Sequence, residues 1–135
     1  EFTGTVADMN PYIAGAAVCV VPLRIGSGTR LKILEEAAME KAIVSTPLGA
    51  EGLEFAAGAE IHLAEAPAQF AEAVAGLLQD AELRRQMGRA ARRRVEREHG
   101  LAALRAALRP TLARIVERGD AAAGRKEIVS DAALA

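Results

Sequence analysis

Apolar positions change their spacing along this chain, and the changes mark out its elements. The run "AAVCVVPL", residues 16–23, is solidly apolar and β-branched with no alternation. Strands buried on both faces of a parallel sheet read that way, and Pro22 stops this one. "AIVST", 42–46, is a second such run, and "IHLA" supplies a third, shorter one. Between the first two, residues 29–41 show helical spacing, with Leu31, Leu34, Ala37 and Ala38 as the predicted buried stripe. "DMNPYIAGA" predicts a short helix, with Asp8 or Asn10 as cap and Pro11 in the first turn. Helices are predicted over 67–79, 81–98 and 101–118, with a break at Gly100 and a kink or division at Pro110. Residues 1–4 read as a strand end. Residues 119–135 have no period and are expected to form a flexible tail. "PLGAEGLEFAAGAE" is a glycine-punctuated loop. Strands alternating with helices predict an α/β fold, a Rossmann-like parallel sheet flanked by helices, with residues 1–118 as its domain.

Composition narrows the class without naming it. The chain has 135 residues, one domain by length, and is 51% hydrophobic, enough for a core. Aromatics are only 3%, so the core must be built from Leu, Ile, Val and Ala. The net charge of -1 gives no global attraction to nucleic acid or anionic lipid. The single cysteine, Cys19, lies inside an apolar run, which excludes an intrachain disulfide and fits a reducing, cytoplasmic compartment. No apolar run is long enough to cross a bilayer. "EFTGTV" lacks an initiating methionine and reads as the start of a piece of a larger protein.

Candidate chemistry concentrates in "RIGSGTRLKILEEAA", residues 24–38. Ligands of parallel α/β sheets sit at the carboxyl ends of strands, where this loop lies. Gly26 and Gly28 allow positive φ and close backbone approach. Free N–H groups at the start of the following helix favour an anion. Ser27 and Thr29 add hydroxyls, and Arg24, Arg30 and Lys32 add positive charge. The pattern is neither a P-loop nor G-x-G-x-x-G. Glu35 lies about 9 Å along the helix from Thr29, at roughly 1.5 Å per residue, and side chains lean back toward the N-terminus. That separation suits a phosphate on the loop and ribose hydroxyls on the carboxylate. The same loop also reads as a plain turn, with Glu35 and Glu36 as solvated charges and Lys32–Glu36 as a surface pair.

Other candidates are thinner. His62 reads as a packed or edge residue on a strand, and His99 as a cation at a helix end. Neither has a second ligand at metal spacing, so no metal is expected. Arg84, Arg85, Arg89, Arg92, Arg93, Arg94 and Arg97 crowd one helix, diluted by Glu82, Glu96 and Glu98. A solvated face is the expected reading. No aromatic residues interleave with these arginines, which argues against nucleic acid, single strands included, as a partner.

The ordered set "FTGTVADMNPYIAGAAVCVVPLRIGSGTRLKILEEAAMEKAIVSTPLGAEGLE" resembles the second half of the C-terminal domain of GT-B fold nucleotide-sugar glycosyltransferases, and within them the retaining "glycosyl transferases group 1" family. The resemblance is strong over residues 2 to 55 and loose to 118. It implies a donor-binding part of a transferase whose substrate is a nucleotide-sugar, with no further cofactor. It places Glu35 on the ribose, Gly28 and Thr29 on the diphosphate with Gly26 and Arg30 beside them, and Thr5 and Val6 against the base. Ser27 stands where the family usually has a carboxylate that helps hold the sugar. Glu36, Glu40 and Ala42 stand where the family usually shows alanine, glycine and proline, and Glu40 is expected to weaken the usual helix-ending turn.

The family's basic pair for the diphosphate and its acceptor domain lie outside this sequence, so the parent protein is read as the enzyme and this chain alone as inactive. The acceptor is unknown, a lipid or polysaccharide by the resemblance, which keeps peripheral membrane contact open. The alternative class is a non-catalytic α/β regulatory module. Two outcomes are expected for the chain by itself. Either a homodimer forms through an open sheet edge, or residues 1–4 stay unpaired while 16–23, 42–46 and 59–63 form a small parallel sheet.

Overall fold

A computed structural model describes the backbone of residues 2–132 and the side chains of residues 2–119. Two compact units divide the chain, Glu1–Arg97 and Glu98–Ala135. The first is α/β, with a parallel sheet flanked by helices, as its solid apolar runs require. Among the described residues, three strands, β1 (Val18–Val21), β2 (Ala42–Ser45) and β3 (His62–Leu63), stand in the order β1-β2-β3. Val18 pairs with Ala42 and Val21 with Ser45, while Val44 pairs with His62. Every residue of central β2 is buried.

The strand pleat sends alternate side chains to two cores. Cys19 and Ile43 face Ile13 of α1 (Asn10–Gly15) and Ile33 and Ala37 of α2 (Leu31–Ala38), with Ile61 and Ala91. Ala42 and Val44 face Leu77 of α3 (Pro67–Gln79) and Met87 of α4 (Ala81–Glu98). Alanine and glycine permit this close packing. Gly88 of α4 lies against the Glu40 carbonyl, where a methyl group would collide with backbone.

Several expectations change here. Residues 2–4 have no regular structure, and residue 1 lies outside the described residues. The three strands form the small parallel sheet without them. Helix α2 starts two residues later than its pattern suggests, and its buried face is Ile33, Glu36 and Ala37. Leu31 is 59% exposed, Ala38 is exposed and Leu34 half-buried, so the predicted stripe is rotated. The reason is the burial of a carboxylate, Glu36, which a hydrophobicity pattern assigns to solvent. Glu40 does not dissolve the helix-ending turn. It adopts φ 56° itself, and Lys41 N–H donates to the Glu36 carbonyl across the turn at 3.1 Å.

The α4 arginines are largely spent on structure. Arg84 donates to the Leu77 and Leu78 carbonyls at the end of α3, Arg92 pairs with Glu96 and Glu40, and Arg94 pairs with Glu60. In the second unit, α5 runs Leu101–Ala132 through Pro110 without division. One lost N–H donor and a ring contact are outweighed by the helix-forming Ala, Leu and Arg on both sides. The backbone helix also covers part of the expected tail 119–135, of which residues 133–135 lie outside the described residues. Leu101, Leu104, Leu108, Leu112 and Ile115 line one exposed stripe of α5.

Candidate functional site at the carboxyl edge of the sheet

Chain leaving β1 passes through Pro22 and Leu23 into the loop 24–29, then enters α2. Gly26 has φ 145° and Gly28 φ 104°, conformations that L side chains rarely adopt. A Cβ on Gly28 would meet nothing within 4 Å, so the backbone there faces open space. Ser27 and Thr29 are exposed beside it. No side chain caps the start of α2. Ile33 and Leu34 N–H donate to the Arg30 carbonyl, which leaves the earlier N–H groups of Leu31 and Lys32 outside the helical ladder. Exposed glycine backbone leading into an uncapped helix start is anion-binding geometry.

Glu35 is exposed in the second turn of α2, on the same loop–helix unit. Its neighbour Glu36 points the other way and is only 2% exposed. Burial pushes the Glu36 carboxyl up to about 7, against the pull of Lys32, whose Nζ lies 3.8 Å from Oε1, and with a smaller push from Glu35. Its Oε2 is buried with no hydrogen-bond partner. Cys19 faces the same interior. Its thiol is pushed up to about 11, by burial first and then by Glu36.

Arg30 is not the freely offered cation expected from the sequence. Its side chain is 8% exposed, and Nη2 pairs with Glu51 Oε2 at 3.3 Å. Arg24 is exposed and Lys32 is 60% exposed, so these two are the cations an incoming anion meets first. Thr5 and the half-buried Val6 sit on a separate segment ahead of α1, outside the loop–helix unit.

Thr46, Gly49 and Glu65 belong to this edge and were missed as site residues. Thr46 Oγ1 donates to the Leu23 carbonyl at 2.6 Å and accepts the Gly49 N–H at 2.9 Å. Gly49 is fixed by that packing, because a Cβ would come within 2.5 Å of Ser45 Oγ and 2.9 Å of the Val21 carbonyl. Thr46, Arg24 and Glu65 line two adjoining clefts of about 200 and 240 Å³ beside the loop. The signal was available, since each residue lies just beyond the carboxyl end of a strand. A broader depression of about 500 Å³ lies along β3 and α3, lined by His62, Gln69 and Glu72 among apolar neighbours. It is away from the glycine loop. Among the described residues, no group of three or more His, Cys, Asp or Glu side chains is placed to hold a metal, and no helix is long and apolar enough to cross a membrane.

No curated protein and no solved structure matches the chain. A family described as "Glycosyl transferases group 1" does, over residues 1–80, a stretch that holds the glycine loop, α2, all three strands and α3. With that match over more than half of its length, and with the glycine loop opening at the carboxyl edge of a parallel sheet, the chain belongs to the group 1 glycosyltransferase family.

Proposed function

We propose that this chain is the donor-binding part of a retaining glycosyltransferase, the second half of the C-terminal domain of a GT-B fold enzyme. A nucleotide-sugar lies across the start of α2. Its diphosphate rests on the backbone of Gly26, Ser27, Gly28 and Thr29 and on the first N–H groups of α2. Its ribose hydroxyls donate to Glu35, and its base packs toward Thr5 and Val6. Arg24 and Lys32 add positive charge to the approach. The leaving group of the transfer is the nucleoside diphosphate, so the group that binds it also stabilises the charge that develops as the sugar departs. The acceptor, a lipid or polysaccharide hydroxyl, binds on parts of the protein beyond this chain. A lipid acceptor would bring the protein to a membrane surface from the cytoplasm, and a polysaccharide acceptor would not.

The observation that carries this reading is the pairing of an open glycine backbone with an exposed carboxylate on one loop–helix unit. Open glycines and uncapped helix starts also occur at plain turns of this chain, so the weight falls on their coincidence with Glu35 on one loop–helix unit. Isothermal titration of the intact protein with UDP, GDP and ADP tests it. One of them binds, and Glu35→Ala weakens it by about 1.5–3 kcal/mol, the worth of a hydrogen bond to a charged group. Unchanged affinity in that variant would remove the proposal.

A further inference from the structure

The loop 24–29 is tied to the rest of the edge at both of its ends. At its base the Thr46 hydroxyl donates to the Leu23 carbonyl. At its far end Arg30 reaches Glu51, just beyond the short 3-10 turn Leu48–Ala50 that Thr46 itself opens. Both ties lead to one segment, residues 46–51. Between them the loop is exposed along its whole length.

The Arg30 tie has an unusual balance. The guanidinium is buried and, among the described residues, its Nε has no partner and the only carboxylate on it belongs to Glu51, itself 70% exposed. A buried charge held by one partner depends strongly on that partner. We infer that Arg30 is a positioning residue: it acts through Glu51 to hold the glycine loop in its binding shape, and does not itself contact the bound anion. The inference rests on the diphosphate reading above and assigns to segment 46–51 the part of a backing strap for the loop.

The two roles predict opposite signs for a change at Glu51. If Arg30 were a direct anion ligand, removing Glu51 would free it and tighten binding. If Arg30 positions the loop, Glu51→Gln loosens the loop and weakens binding. The experiment uses the intact protein, Arg30→Met, Glu51→Gln and the double variant, titrated with whichever of UDP, GDP and ADP binds. Hydrogen exchange of the loop 24–29 amides is followed without ligand. Each single change weakens binding by about three- to tenfold, and the double change is no worse than Arg30→Met alone, because both remove one interaction. Arg30→Lys recovers only part of the affinity, since a point charge replaces a planar fork. Loop exchange speeds up in every variant. Should Arg30→Met fail to fold, Glu51→Gln, altered at an exposed position, still decides. Unchanged or tighter binding in Glu51→Gln, or loop exchange that does not change, overturns the inference. Failure of the wild-type protein to bind any diphosphate would strike the donor reading instead, and the exchange measurement would still test the strap.

Discussion

Glu36 gives the sharpest physical test of the fold. The carboxyl is 2% exposed, its Oε2 has no partner, and burial raises it to about 7 from 4.5. Lys32 faces it from the same helix but is 60% exposed, so solvent screens that pairing and burial wins. The folded state therefore holds the Glu36 proton more tightly than the unfolded state does. Both states are protonated at low pH. As pH rises from 4.5 toward 7, the unfolded chain releases the proton first, and stability falls. The loss is complete above about 7.

A separation of about 2.5 units at 1.36 kcal/mol each sets a ceiling of about 3 kcal/mol. Glu36→Gln removes the titration. A buried amide carries its own fixed cost of about 1 kcal/mol, which is independent of pH. The informative quantity is therefore the change in the stability difference between variant and wild type, from about pH 4.5 to about pH 8. Urea unfolding followed by circular dichroism measures it. The variant should gain about 2–3 kcal/mol on the wild type across that interval. Cys19, the other group that feels Glu36, is pushed up to about 11 and stays silent in the window. Parallel pH curves for the two proteins, within about 0.5 kcal/mol, would refute the reasoning, because surface carboxylates behave in that way.

Three further outcomes follow from the same geometry. Glu40→Gly should stabilise the protein by about 1 kcal/mol in urea unfolding, since relief of a left-handed glutamate outweighs its half-exposed pairing with Arg92 at 3.6 Å. Gly28→Val should abolish diphosphate binding and also lower the melting temperature by a few degrees, because a β-branched residue is strained at φ 104° and its side chain blocks the approach of a ligand. Cys19 should resist a disulfide reagent at about pH 8 until the protein unfolds, because both its burial and its raised thiol suppress the thiolate.

How much of this was legible in the sequence depended on which physical rule applied. Unbroken β-branched runs located β1 and β2, because a strand covered on both faces has no polar alternation to confuse it. Pro67 and helical spacing placed α3 and α4 to the residue, with the break at Asp80. Gly26 and Gly28 marked the loop between β1 and α2, and both take positive φ there, a feature that a plain turn shares. The inward face of α2 was not legible. Leu31, Leu34, Ala37 and Ala38 suggested one face; of these the structure buries Ala37, beside Ile33 and Glu36, and no residue-type rule places a carboxylate inside. Arg30 reads from the sequence as a cation beside a phosphate-type loop, and the sequence does not show that it has a partner across the fold. That partner, Glu51, is 21 residues away and leaves no local signal. Pro110 reads as a helix breaker from its own chemistry, yet α5 continues through it.

The central claim is that the glycine loop and the start of α2 cradle a diphosphate. Amide NMR shifts of the intact protein, titrated with UDP, GDP and ADP, test it most directly. The account predicts that the largest saturating shifts fall on Gly26, Ser27, Gly28, Thr29, Leu31 and Lys32, with Glu35 next. Shifts that leave this loop untouched and gather instead along β3 and α3, around Leu63, Gln69 and Glu72, would contradict it.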